Sequence, residues 1–238
     1  MTAWERDERE RLAGTTSVPL AIVARKMRRP IAELDAAIGA IEQQLQADPE
    51  LVADTRSFFD RSRRNITLLL RMMNDLLALD DTHSAPATFN RKPVDLVSVV
   101  ARTLLSSPGG LHIRLAARPD GPAFVNCDES RIALVVSNLA RNAIDHGTGN
   151  AEVSLLPSPA AEATARAKGW TLVFENDGEI APSLLDKCRA PFFREPGDEH
   201  TGLGLGLYLV RHFVEAHHGT FSLGCEGQRV KATVFLPG

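Results

Sequence analysis

Ser137-Asn-Leu-Ala-Arg-Asn-Ala-Ile-Asp-His-Gly147 is the stretch on which the fold turns. Asn138 and Asn142 stand four residues apart, so a helix through them sets both amides on one face. A hard divalent cation takes neutral oxygen donors and needs few from the protein when phosphates supply the rest. The same pair also reads as exposed amides or a helix-helix hydrogen bond. Downstream, Thr201-Gly-Leu-Gly-Leu-Gly-Leu207 places Gly202, Gly204 and Gly206 at alternate positions running into an apolar helix. Glycines let backbone NH groups approach a phosphate, and a helix N-terminus adds partial positive charge. The pattern matches neither the lysine-bearing phosphate loop nor the dinucleotide fingerprint, and a glycine repeat alone is also a flexible turn. Between the two, Glu175-Asn-Asp-Gly-Glu-Ile-Ala-Pro182 closes a strand with a polar turn. There Asn176 or Asp177 can accept a hydrogen bond from an exocyclic amine, or simply shape the turn.

Around these segments helices and strands alternate. Leu111 to Ala117, Ala123 to Cys127, Ala151 to Leu156 and Trp170 to Glu175 read as strands. Ser130 to Asp145 and Leu205 to His217 read as helices, Gly219 to Phe235 as a closing hairpin, and Pro159 to Lys168 as a loop with one helical turn. Mostly antiparallel strands in this order predict a two-layer α+β sandwich.

The N-terminal part has a different period. Leu20, Ala24, Met27, Ile31, Leu34, Ile38, Ile41 and Leu45 alternate steps of four and three, as a coiled-coil seam does. Asp48-Pro49 interrupts it. A second helix from about Leu51 to Leu79 carries Phe59, Ile66, Leu69, Met73 and Leu76 on one stripe, widened by Leu70 and Leu77. Two such helices joined by a short turn make an antiparallel hairpin. A lone hairpin leaves apolar seam uncovered, so a homodimeric four-helix bundle is expected. The domain reading is a charged lead-in at 1–14, the hairpin at 15–82, a linker at 83–92 and the α+β domain at 93–238.

With 44% hydrophobic and 24% charged residues, a net charge of -3 and a pI near 6.2, nothing global points to nucleic acid. Cys127, Cys188 and Cys225 form no CxxC pair, which fits a reducing compartment and argues against a disulfide framework or a zinc site. No apolar run is long enough to span a bilayer, and the charged start is unlike a signal peptide, so a cytoplasmic chain is expected.

Taken in order, the helix with Asn138 and Asn142, the Asn-Asp-Gly turn, Phe192-Phe193 with Arg194, and the glycine repeat resemble the N, G1, F and G2 boxes of the histidine kinase ATP-binding domain. Arg71 to Asp80 resembles the end of that family's second hairpin helix. Asn90 to Leu96 resembles the start of its ATP domain, and Tyr208 to Thr220 the helix and turn after its glycine lid. The likeness implies a GHKL-type ATPase fold holding ATP and magnesium, with Asn142 and nearby Asn138 at the metal. It places Asp145, His146, Asn176, Asp177, Gly178, Arg194, Thr201, Gly202, Leu203, Gly204, Leu205 and Gly206 around the nucleotide. Three positions depart from the family pattern. Asn176 stands where an aspartate usually reads the adenine amine, Ile180 replaces the box's second glycine, and Asp145 stands where a lysine is often found.

The largest departure is in the hairpin. Anchored on Pro30, Arg25-Lys-Met-Arg-Arg-Pro-Ile31 lies over the family's phosphoacceptor box, which puts Arg25 at the histidine position, Lys26 at the neighbouring acid and Arg29 at the threonine. A guanidinium stays protonated and has no lone pair to attack with, and Lys26 cannot orient or deprotonate a nucleophile as a carboxylate does. No other histidine lies in the hairpin. The expectation is a histidine-kinase-like, ATP-binding pseudokinase that regulates a two-component pathway, with a response-regulator receiver domain or a histidine-phosphotransfer protein as partner. Arg25 to Arg29 form either a solvated charged face or a docking patch. The alternatives are an active kinase acting on a partner's histidine and a non-enzymatic dimeric scaffold that docks a response regulator.

Overall fold

The computed structural model describes residues 27–29, 31–36, 38–39, 41, 43, 52–82, 89–107, 110–147, 150–158, 168–194 and 202–238. The chain divides into two compact units, one N-terminal and helical, the other holding the sheet. The Asp48-Pro49 turn, the alanine-rich stretch at 159–167, Arg25, Lys26, Pro30 and Thr201 lie outside the described residues.

In the helical unit, all described residues between 27 and 43 are helical, and α1 runs Val52–Thr82. Ile31, Ile66 and Met73 form one buried cluster, flanked by Ile38, Leu70, Leu76 and Leu77. Leu69, placed by its spacing on the same stripe, is instead exposed. Helix α1 continues three residues beyond the expected Leu79. Thr82 donates its hydroxyl to the carbonyl of Leu79 at 2.7 Å, which satisfies one of the otherwise unpaired final-turn carbonyls.

The second unit starts earlier than its sequence signal. Strand β1, Lys92–Asp95, pairs antiparallel with β3, Phe124–Cys127. Lys92, read as linker, is therefore already in register opposite Cys127. Between them lies α2, Leu96–Ser106, a helix without any clear mark in the apolar pattern. Asp95 starts it by accepting hydrogen bonds from the amides of Val97 and Ser98.

The main sheet has the order β2-β4-β5-β7-β6, built from Ile113–Ala117, Ala151–Ser158, Gly169–Asp177, Arg229–Pro237 and Thr220–Glu226. Only β2 and β4 run parallel. The residues just before β2, expected to be extended, form a 3-10 turn at Gly110–His112. Helix α3, Glu129–Asp145, packs on α2, on β5 and on α4, Gly206–Ala216, while α4 lies along β6 and β7. This is the two-layer α+β sandwich.

Its core is the contact between helix stripe and sheet face. Ala151, Val153 and Leu155 alternate inward along β4 and line one face of the sheet with Leu172 and Phe174 of β5 and, beyond them, Val234 and Leu236 of β7. Ile132, Val135, Val136 and Leu139 of α3 with Leu209, Val210, Phe213 and Val214 of α4 close the layer. Each such fully buried side chain contributes about 1.5–3 kcal/mol.

Candidate functional site

Helix α3 is the site's backbone. Asp128 caps it, accepting from the amides of Ser130 at 3.0 Å and Arg131 at 3.3 Å. Its apolar stripe fixes the roll of the helix, so Asn138, Asn142 and His146, four apart, climb one face from buried through half-buried to exposed. Asn138 is 1% exposed and committed at both ends of its amide. Nδ2 donates to the carbonyl of Leu134 at 3.1 Å, and Oδ1 accepts from Arg141 at 2.5 Å. Asn138 thus holds the helix and Arg141 together, whereas Asn142, half-buried, stands one turn further along the same face. Asp145 closes the last turn of α3 with its side chain half-buried.

The C-terminal end of α3 meets the end of β5. His146 donates its amide to the carbonyl of Asn142 at 3.0 Å, and Gly147 follows where a Cβ would stand 2.2 Å from the carbonyl of Ala143. On its other side, that Cβ would lie 3.4 Å from Cβ of Asn176. A Cβ on Gly178 would come within 3.1 Å of the carbonyl of His146 and 3.2 Å of Nδ2 of Asn176. Asn176 is thus buried between two glycines that leave room for no side chain of their own.

The strand holding Asn176 is two residues longer than expected. Arg229 and Val230 of β7 extend the ladder to Asp177 and Asn176, a long-range pairing that local propensity does not encode. The Asn176 amide is oriented by its own chain, since Nδ2 donates to the carbonyl of Asp177 at 3.2 Å, and a carbonyl only accepts. Asp177 accepts from Nδ2 of Asn150 at 3.0 Å and from Arg229 at 3.2 Å. Gly178 donates its amide to the carbonyl of Gln228 at 2.9 Å.

A second meeting point lies at the start of α4. Gly204 has φ of +68°, and a Cβ there would stand 2.4 Å from the carbonyl of Phe193 and 2.9 Å from the carbonyl carbon of Phe192. The glycine repeat and the Phe192-Phe193 turn therefore touch backbone to backbone. Phe192 itself adopts φ of +61°, unusual for a large side chain. Leu205 is fully buried and opens α4, and Gly206 presses on α3, where a Cβ would sit 3.1 Å from Oδ1 of Asn138. Gly202 and Leu203 precede this junction, and Arg194 is exposed just past Phe193.

The structure thus brings Asn138, Gly204, Gly206 and the Phe192-Phe193 turn together at the middle of α3, and His146, Gly147, Asn176 and Gly178 at its C-terminal end, with Asn142 between. Gly147 and Arg141 were not singled out by spacing. Gly147 carried a signal, a glycine directly after a helix end, where a missing side chain permits close approach. Arg141 carried none.

Residues 127–238 match the family model described as Histidine kinase-, DNA gyrase B-, and HSP90-like ATPase. Over 242 aligned positions and 98% of its length, the chain is 24% identical to the sensor protein kinase WalK of Staphylococcus epidermidis, of which it spans 37%. The match to WalK of Staphylococcus aureus is also 24%, spanning 54% of that relative. Among solved structures, full-length ShkA in complex with AMPPNP superposes with a TM-score of 0.63 at 22% identity, over 94% of this chain and 47% of that one. The Acinetobacter baumannii histidine kinase AdeS gives 0.56 at 20%, over 88% and 95%. Among the described residues no helix is long and apolar enough to cross a membrane. Residues 127–238 form a histidine kinase-, DNA gyrase B-, and HSP90-like ATPase domain, and with a helical unit ahead of it the chain is similar to the core of two-component sensor histidine kinases.

Proposed function

We propose that this core binds ATP with magnesium and regulates a two-component pathway without phosphorylating itself. The observation that carries the nucleotide half is the cradle of Asn176 between Gly147 and Gly178 at the end of the α3 face that bears Asn142. Because Nδ2 of Asn176 is taken by the Asp177 carbonyl, the amide oxygen is left as the group to accept an adenine amine. Asn142 is the residue to hold magnesium, Gly204 and Gly206 hold the start of α4 against the Phe192-Phe193 turn and α3, and the nucleotide supplies a transferable phosphoryl group. His146 and Arg194, exposed beside these two junctions, complete the nucleotide-facing set with Asp145.

The regulatory half rests on sequence. Arg25 occupies the phosphoacceptor position, with Lys26 and Arg29 beside it. Arg29 is exposed and pairs with Glu33 at 2.8 Å, one turn along the same helix. Such a basic turn suits docking of an acidic receiver domain or a histidine-phosphotransfer protein. We assign 15–82 to the hairpin and 93–238 to ATP binding. The homodimer follows from the seam. Ile31 and Ile38, seven apart, face the apolar cluster of their own chain, whereas Met27, Leu34 and Ile41, also seven apart, are 48%, 54% and 47% exposed. A second copy covers that second row.

Calorimetric titration of the full chain with ADP and with AMPPNP, with and without magnesium, tests the reading. Magnesium-dependent binding is expected, weakened at least about tenfold in Asn142→Ala by the loss of about 1.4 kcal/mol. Failure to bind any adenine nucleotide would leave the chain as a scaffold.

A further inference from the structure

The segment that leads into the ATPase domain is fastened at five points around one histidine. The ring of Phe89 lies parallel to the imidazole of His217, centroids 5.3 Å apart and planes within 6°. The same ring meets Phe213 edge-on at 6.1 Å. The amide of Asn90 donates to Oδ2 of Asp128 at 3.0 Å, Arg91 donates through Nη2 to the carbonyl of Ala216 at 2.5 Å, and Arg91 Nη1 stands 3.2 Å from Nε2 of His218. Asp128 heads α3, while Ala216 and His218 end α4, so residues 89–91 tie together the two helices of the candidate site.

His217 is 3% exposed, and its partners dictate its chemical form. Nδ1 lies 2.6 Å from the carbonyl of Phe213, which only accepts, so Nδ1 carries the hydrogen. Nε2 lies 2.9 Å from the amide of Asp128, which only donates, so Nε2 keeps its lone pair. The ring is therefore neutral. A second proton has one place to go, Nε2, where it would face the N–H of Asp128 and turn that bond into a repulsion.

We propose that His217 is a proton-operated catch: neutral, it holds residues 89–91 to α3 and α4 through Asp128 and Phe89, and protonated, it releases them. The charges around it are few. Arg91 and His218 oppose protonation, the Asp128 carboxylate favours it, and the Arg131 guanidinium stands over the Phe213 ring next door, 5.4 Å from its centroid. Burial is the largest influence and lowers the pKa, outweighing the bond to Phe213 and the Asp128 charge. With the folded pKa below the ordinary 6.5, the catch is closed above that value and opens as pH falls through the lowered one. Residues 89–91 lead directly into β1, so this catch governs how the start of the ATPase domain is held. The inference needs no nucleotide and stands whether or not ATP binds.

Two measurements on the full chain test it. Long-range proton-nitrogen NMR at pH 7.5 should show His217 as the neutral Nδ1-H tautomer, protonating below the ordinary 6.5. Hydrogen-exchange protection factors at Asn90 and Asp128 should then fall about tenfold together with that protonation, the worth of roughly one hydrogen bond. In His217→Gln, whose side-chain oxygen can accept from Asp128 but cannot titrate, protection should stay level between pH 7.5 and 5. Unchanged protection at Asn90 and Asp128 across the wild-type titration overturns the proposal, as does the opposite tautomer, and both results stand without the variant.

Discussion

Asp95→Ala removes one carboxylate that does two tasks. Oδ1 accepts from the amides of Val97 at 3.1 Å and Ala123 at 2.8 Å, and Oδ2 from the Ser98 amide at 3.3 Å and hydroxyl at 2.6 Å. The Val97 and Ser98 bonds cap α2, worth about 1 kcal/mol. The Ala123 bond pins the chain ahead of β3 to a charged acceptor, worth about 1.5 kcal/mol at the partly exposed end of the range. The loss should be about 2–3 kcal/mol, which lowers Tm by roughly 4–12 °C for a domain of this size. Asp95→Asn keeps the oxygen that serves Val97 and Ala123 and should cost about 1 kcal/mol or less. Circular dichroism melts of the full chain at pH 7 give the comparison. Burial pushes the Asp95 pKa up, but the bonds from the Ser98 side chain and from the amides of Ala123, Val97 and Ser98 outweigh it, leaving the group below its ordinary 3.8. Its contribution is thus present above that value and is lost as pH falls through the lowered one. The gap between wild type and Asp95→Ala should therefore close in acid. A melt of Asp95→Ala within 1 °C of wild type, or equal to that of Asp95→Asn, would refute the reasoning.

Asn138→Ala should destabilise the fold by about 1–3 kcal/mol in urea titrations, because a buried amide bonded to Leu134 and Arg141 is lost, whereas Asn142→Ala should leave stability unchanged and weaken magnesium-nucleotide binding. Gly204→Ala forces a side chain into φ of +68° and against the Phe193 carbonyl, so ADP should bind at least about fivefold more weakly, while Gly202→Ala, which has open space, should bind like wild type. Burial and the neighbouring Asp128 and Glu129 charges push the Cys127 thiol up to about 12, so iodoacetamide at pH 8 should alkylate Cys188 and Cys225 in the native chain and spare Cys127, as read by peptide mass spectrometry.

The helices that pack by a regular stripe were legible in the sequence. Ile132, Val135, Val136, Leu139 and Ala143 announce α3 by spacing alone, and Asp128 two residues ahead of Ser130 marks its start. Helix α2 was missed because its apolar and β-branched run from Leu96 to Leu105 reads equally as a buried strand, and its one discriminating sign was Asp95 ahead of Ser98. The end of β5 was placed short because Asn176 and Asp177 are turn formers locally, while their pairing with Val230 and Arg229 is set by a strand some fifty residues away. At the site, the order of the asparagines and glycines was readable, but their division of labour was not. Which of Asn138 and Asn142 is buried depends on how α4 lies over α3, and the neighbours of Gly147 and Gly204 exist only after folding. The two bonds of His217 and its stacking on Phe89 likewise exist only after folding.

The most direct test of the central claim is incubation of the purified chain with gamma-labelled ATP and magnesium, with and without candidate receiver and histidine-phosphotransfer proteins, alongside the doubly substituted Arg25→His, Lys26→Glu chain. Nucleotide binding with no label on the wild-type chain, and acid-labile label appearing on the substituted one, is the predicted result. Acid-labile label on the wild-type chain alone with ATP would contradict it.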